Sequence, residues 1–262
     1  MSNLAWPQLD VGDYAPHLIA AGLQGIEIAP SKIWQNTPFV SANAVREYAR
    51  KLNHYGLNVS GVQSLLYGEP SLQVFNRESW PRLVPHLKSM IEIAANLGAN
   101  IAVFGSPKNR QKGTLKFDEA CNIFVELVSF LLPTLSDCGV VLTLEPNAPP
   151  YGADFLTTYE ETKKVVTSIS SPFVRSQIDT GCMKMVNEDY LVAIRDCLPA
   201  HVHISAPNLC SPKGLIDDEA LFNTLVESGY NGWVVLEMLF LSSESLQNMF
   251  ETAEWFGKSY AN

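Results

Sequence analysis

The chain has 262 residues, with 18 Lys plus Arg against 27 Asp plus Glu, a formal charge of −9, and 47% hydrophobic residues. Length and apolar content support one α/β domain with a sizeable core. The acidic balance argues against a nucleic-acid partner, which needs basic patches to neutralise phosphates, and no apolar run approaches the roughly 20 residues of a membrane span.

The amino terminus, Met1 to Pro7, has no basic segment followed by an apolar run, so no secretory signal is expected. Cysteines 121, 138, 182, 197 and 210 are odd in number and lack paired ligand spacing. They read as free thiols of a cytoplasmic protein.

In chain order, strand and helix alternate. Leu4-Ala5-Trp6 is a short first strand, Asp10 to Gly22 a helix, and Gly25 to Pro30 a second strand closed by proline. Ser41 to Gly56 carries Val45, Tyr48, Ala49, Leu52 and Tyr55 at helical spacing. Asn58 to Leu66 reads as strand, Trp80 to Gly98 as helix, Ile101 to Gly105 as strand, and Phe117 to Cys138 as a helix interrupted near Pro133. Strand five is Val141 to Leu144, followed by Glu145 and by Pro146, which has no N–H for a ladder. Three more strands end at Asp179, His203 and Glu237, and helices over Thr157–Ser168, Asn187–Leu198, Asp217–Gly229 and Ser243–Gly257 follow strands five to eight.

Eight strands alternating with eight helices over residues 1–262 is the count of a closed parallel (β/α)8 TIM barrel, in which reacting groups gather at the carboxyl ends of the strands. Glu145, Asp179, His203 and Glu237 all stand there. A lone strand-end acid is more often a helix cap or a buried ion-pair partner. Three carboxylates gathered together, however, would repel each other until protons were taken up, and a divalent cation removes that penalty. Oxygen-rich ligands with one imidazole suit Mn or Mg, and tolerate Co or Zn. His201 and His203 share a strand face; His203, nearer the carboxyl end, is the expected ligand and His201 sits one layer deeper.

Leu144-Glu145-Pro146-Asn147, Ile178-Asp179-Thr180-Gly181, His201-Val202-His203-Ile204 and Val235-Leu236-Glu237 together resemble the xylose-isomerase-like TIM barrels. That family includes ketose 3-epimerases, hydroxypyruvate isomerases and inosose dehydratases. Gly25 to Pro30, Phe104 to Arg110 and Asp179 to Met183 look closest to its subgroup of sugar phosphate isomerases/epimerases. The resemblance implies Glu145, Asp179, His203 and Glu237 as metal ligands, with the two glutamates also handling protons. Two departures limit the transfer. Cys182 stands where the epimerases carry a substrate-binding His, and Ala206 to Cys210 lacks their Arg.

The expected activity is that of a metal-dependent isomerase or epimerase of a sugar or sugar phosphate, passing through an enediolate with Glu145 and Glu237 as acid/base groups. Arg110, Lys108, Glu27, Cys182 and His201 are the candidate substrate contacts, and Glu27 is next in line for proton transfer. Arg110 in particular suits an anionic or polyhydroxylated end of the substrate; its bland alternative is a solvated loop charge. Other readings are a metal-dependent dehydratase of a polyol or keto acid, a non-catalytic sugar-binding barrel, and an abasic-site endonuclease. The last uses a three-zinc cluster with more histidines. A homo-oligomer stays open.

Overall fold

The computed structural model describes residues 1–7, 10–241 and 245–260. Seven strands pair in parallel and in sequence order: β1 Gly25–Ile28, β2 Asn58–Val62, β3 Ile101–Phe104, β4 Val141–Leu144, β5 Val174–Asp179, β6 His201–Ile204 and β7 Val234–Leu236. Nearly every strand residue is buried, as expected where helices cover one face and barrel side chains the other.

The eighth place in the barrel is filled differently from expectation. Ser2 makes a single parallel bridge to Glu27; its N–H donates to Leu236 O at 2.9 Å, while Glu27 N–H donates to Met1 O at 2.9 Å. The amino-terminal backbone thus closes β7 onto β1, two residues before the expected strand. Leu4 to Trp6 is not a strand, because Ser2 Oγ caps a 3-10 turn over Asn3–Ala5 by accepting from Leu4 N–H. A side-chain cap diverts the backbone out of the ladder there.

The helices are α1 Ala15–Ala20, α2 Ala42–His54, α3 Trp80–Asn96, α4 Phe117–Ser129, α5 Leu132–Cys138, α6 Tyr159–Ile169, α7 Thr180–Met185, α8 Tyr190–Asp196, α9 Asp218–Glu227 and α10 Ser245–Tyr260. α3 shows why such segments hold. Leu83, Leu87, Met90, Ile91 and Ala94 recur every three or four residues and are all buried. Truncating Leu87 to Ala there costs about 2–5 kcal/mol.

Three boundaries depart from the periodicity. The segment from Asp10 divides into a 3-10 turn, Val11–Asp13, and the short α1, because Asp10 Oδ1 caps Gly12 N–H at 2.9 Å. The interrupted helix is two helices, and Pro133 lies in the first turn of α5, where its missing N–H costs nothing. After β5 comes α7, a helix absent from the periodic reading, and its N-cap is Asp179. The start of the expected helix at 243–244 lies outside the described residues. Among the described residues, no single helix is long and apolar enough to cross a membrane.

Candidate metal centre

The carboxyl edges of β4 to β7 carry the four expected ligands. Glu145 directly follows β4, and its N–H still reaches Phe104 O at 3.2 Å. Asp179 is the last residue of β5, and its Oδ1 accepts from Cys182 N–H at 2.6 Å and Ser205 Oγ–H at 2.9 Å. Oδ2 is left to face inward. His203 lies in β6, and Glu237 follows β7 with its N–H on Ile204 O at 3.0 Å.

The side chains converge. His203 Nδ1 lies 3.0 Å from Glu145 Oε1, 3.3 Å from Glu237 Oε2 and 3.8 Å from Asp179 Oδ2. One ligand atom from each of the four falls within 4.8 Å of every other, and all four residues are buried. Nδ1 is a buried nitrogen without a well-formed hydrogen bond, facing three acids. That donor set fits a divalent cation.

The electrostatics show what the cluster costs by itself. Burial pushes the Glu237 carboxyl up to about 7; the His203 charge opposes this, and Glu145 and Asp179 add to it. Asp179 is raised to about 6, by burial first and by Glu145 second. Burial would lower His203, but the charges of Glu27 and Glu237 hold it well above the ordinary histidine range. Protons gather where a cation would otherwise neutralise the site.

Behind the ligands stands a supporting layer. Glu27, at 0% exposure, faces two imidazoles, with Oε1 2.7 Å from His201 Nε2 and Oε2 2.8 Å from His203 Nε2. A carboxylate on the far nitrogen of a ligating histidine fixes its tautomer and aims Nδ1 at the metal. Glu27, His201 and His203 also converge closely enough to hold an ion. With each Glu27 oxygen within 2.8 Å of an imidazole nitrogen, the triad reads as support for His203. Glu27 and His201, expected as substrate contacts, are both fully buried and are not among the residues lining the cleft.

Arg110 also departs from both expectations for it. It is neither substrate-facing nor solvated; its exposure is 0%. One terminal nitrogen donates to Glu145 O at 2.7 Å, Asn147 Oδ1 at 2.8 Å and Leu156 O at 3.3 Å, and the other to Phe104 O at 3.3 Å. Burial pulls its pKa down to about 10, partly offset by the Glu145 charge. Asn147 passes the constraint on by donating Nδ2–H to Glu145 Oε2 at 2.8 Å. Gln177 holds the other oxygen, donating to Oε1 at 2.8 Å while accepting from Thr143 Oγ1–H. A Cβ on Gly105 would stand 2.4 Å from Glu145 Oε2, so only glycine leaves the carboxylate room.

Gln177, Asn147, Gly105 and Ser205 were not assigned roles from the sequence. Gln177 had a signal: it lies two residues before Asp179, hence on the same strand face. The expected contacts Lys108 and Cys182 do line the cleft above the acids. That cleft is about 400 Å³, and Glu145, Asp179, Glu237, Tyr151 and Leu209 contribute to its walls.

Among solved structures, the chain is similar to a 3-keto-D-glucoside 4-epimerase from E. coli, with a TM-score of 0.79 and 18% identity over 98% of both chains. It is similar to a D-psicose 3-epimerase from Clostridium cellulolyticum H10, with a TM-score of 0.79 and 17% identity over 98% of this chain and 97% of the other. An AP endonuclease, family 2, from Brucella melitensis aligns with a TM-score of 0.75 and 17% identity over 98% and 97%. At such identities the likeness is one of fold. No curated protein matches the chain. A family model described as xylose isomerase-like TIM barrel matches residues 17–258. The chain belongs to the xylose isomerase-like TIM barrel family.

Proposed function

We propose that the protein is a divalent-metal-dependent isomerase or epimerase of sugars, in which Glu145 and Glu237 transfer the proton. The observation that carries this reading is the convergence of Glu145, Asp179, His203 and Glu237 within 4.8 Å, at the strand edges and under an open cleft. The epimerase activities of two structural neighbours support sugar as the substrate class.

Glu145, Asp179, His203 and Glu237 would hold the cation, which when bound supplies Lewis-acid polarisation of a carbonyl and the neighbouring hydroxyl. The residues of the chain do the rest. Glu145 is held at both oxygens and offers a fixed carboxylate to the acidified C–H. Glu237, across from it, exchanges a proton with the same or the adjacent carbon of the enediolate. Return to the opposite face of one carbon inverts it; return to the neighbour interconverts aldose and ketose. Each glutamate contributes on the order of 10² to 10⁴ in rate. The endonuclease reading gains little support, since among the described residues Lys108 is the only Lys or Arg lining the cleft.

Chelator-stripped protein should incorporate no solvent deuterium into keto-sugars, and Mn²⁺ should restore incorporation at one C–H, read by mass spectrometry and NMR. Exchange that is indifferent to chelation, or absent across a ketose panel with metal present, would sink the proposal.

A further inference from the structure

The cleft over the acids does not end at the reacting position. Ser64, Ser106, Pro107 and Lys108 line it, and the same four residues line a second cavity of about 470 Å³ beside it. This second cavity lies between the loop after β2 and the loop after β3, and its remaining wall includes Leu66, Tyr67 and Pro70. Both volumes lie in the range of small-molecule sites, and the four shared residues place them side by side.

Three features show that the second cavity is built rather than incidental. Its two loops are tied together from behind. Asn109 is buried, and its Nδ2 donates to Glu69 O and Leu72 O at 2.8 Å, while Val74 N–H donates to Asn109 O at 2.8 Å. Ser64 and Ser106, which form the shared wall, both have left-handed backbones, at φ 57° and 51°. Such conformations persist in non-glycine residues where the surroundings over-determine them, often at ligand sites. Ser106 Oγ is buried and has no hydrogen-bond partner, so a polar group stands uncommitted at the junction of the two cavities.

The chemistry of the walls narrows the occupant. A phosphate is commonly recognised by a guanidinium fork or a cluster of cations. Arg110 is enclosed, with its terminal nitrogens donating to three backbone carbonyls and Asn147 Oδ1, and among the described residues exposed Lys108 is the only Lys or Arg lining either cavity. Tyr67, by contrast, is 74% exposed and offers an aromatic surface beside Leu66 and Pro70. The geometry points to an uncharged two-ring substrate: a keto-sugar reacting over the metal ligands, with a second sugar ring in the outer cavity against Tyr67. This rests on the proposed isomerase or epimerase reading and selects, within it, glycosides over sugar phosphates.

Three ketoses that differ only at the C6 oxygen provide the test: fructose, fructose 6-phosphate and isomaltulose, which carries a glucosyl ring there. With Mn²⁺-loaded protein in deuterated buffer, isomaltulose should show kcat/KM for exchange about tenfold above fructose, the scale of one aromatic contact. Tyr67→Ala should bring that ratio close to one, and Tyr67→Phe should retain it; so exposed a ring leaves both variants folded. A preference for fructose 6-phosphate, or a ratio unmoved by Tyr67→Ala, would overturn the two-ring substrate while leaving the isomerase reading intact. No exchange on any of the three counts against the isomerase reading, and the outer cavity is then judged by binding. Saturation-transfer NMR on the glucosyl ring of isomaltulose, abolished in Tyr67→Ala, would uphold the outer site; its absence in the unsubstituted protein would overturn it.

Discussion

Glu145 and Glu237 end strands of one barrel, three strands apart, and their surroundings pull them in opposite directions. Around Glu145, Gln177 and Asn147 occupy both oxygens, and Arg110 fixes the backbone carbonyl. Burial would raise its pKa, yet the hydrogen bond and charge of His203 hold it below the usual carboxylate range. Glu237 is as deeply placed, but among the described residues His203 is the only side chain positioned to hydrogen-bond it, and its pKa is pushed up to about 7. The same strand-plus-glutamate pattern has produced one pegged, ionised carboxylate and one that keeps a free oxygen and an available proton. Pairs of acids separated in this way are how a site runs base and acid chemistry together.

The largest expected effect tests that contrast directly. Glu145→Gln and Glu237→Gln should each lower turnover by about 10² to 10⁴, because an amide accepts no proton at neutral pH. The variants should then diverge in metal binding. An amide nitrogen at position 145 would meet the N–H groups of Gln177 or Asn147, donor against donor, so metal affinity falls with turnover. Glu237→Gln has no such conflict and should keep most of its metal. Equal metal loss in the two, measured by Mn²⁺ titration, would erase the distinction between the strand ends.

Next comes Arg110→Ala, which attacks only the Glu145 side. Removing an enclosed guanidinium takes the Arg110 donor from Glu145 O and Asn147 Oδ1, leaves Phe104 O and Leu156 O with a backbone N–H only, and opens a cavity. The cost is about 3–5 kcal/mol, a fall in melting temperature of roughly 10 °C in a domain of this size. Metal affinity should fall too, because Asn147 then loses its orientation on Glu145. A protein that melts normally and loses only affinity for substrate would restore Arg110 as a surface anchor.

That residue also marks the limit of what the sequence could say. The convergence of Glu145, Asp179, His203 and Glu237 was legible because strand periodicity and a terminating Pro or Gly locate a strand end, and like charges at equivalent ends imply a counter-ion. Most of the barrel followed from the same periodicity. Arg110 was not legible, since a loop arginine beside Gly and Pro reads as solvated or ligand-facing until the packing around it is known. The closure by Met1 and Ser2 was hidden for a related reason. A one-residue bridge has no periodicity, and Ser2 shows itself as a cap only once the turn after it has formed. Glu27 lay on a recognisable strand, but its partners His201 and His203 are more than 170 residues away.

A smaller effect is expected at the support that both glutamates share. Glu27→Gln keeps the shape of the side chain but removes the charge that aims His203, and should weaken Mn²⁺ binding by about 10- to 100-fold. Turnover at saturating metal should change much less, because Glu27 does not line the cleft. An unchanged metal affinity would mean that His203 needs no carboxylate behind it.

The smallest effect is a count of protons. Metal must displace whatever protons its ligands hold, so affinity rises with pH until those protons are gone. At pH 7, Glu237, with its pKa at about 7, is half protonated, Asp179 at about 6 is mostly ionised, and Glu145 is fully ionised. His203, raised well above its ordinary range, adds to this count. Mn²⁺ binding at pH 7 should therefore release protons, measurable by calorimetry in buffers of different ionisation enthalpy. Glu237→Gln should remove about half a proton from that release, since a group at its pKa is half occupied. Glu145→Gln removes no proton of its own; it lowers the release only through its neighbours, by taking away a charge that raises Glu237 and Asp179 and a hydrogen bond that raises His203. As pH rises to 8.5 the Glu237 contribution should vanish, and as pH falls to 5.5 it should approach one full proton. Equal losses from the two variants at pH 7 would mean that Glu145 and Glu237 share their protons, and that the barrel does not divide acid from base between its two strand ends.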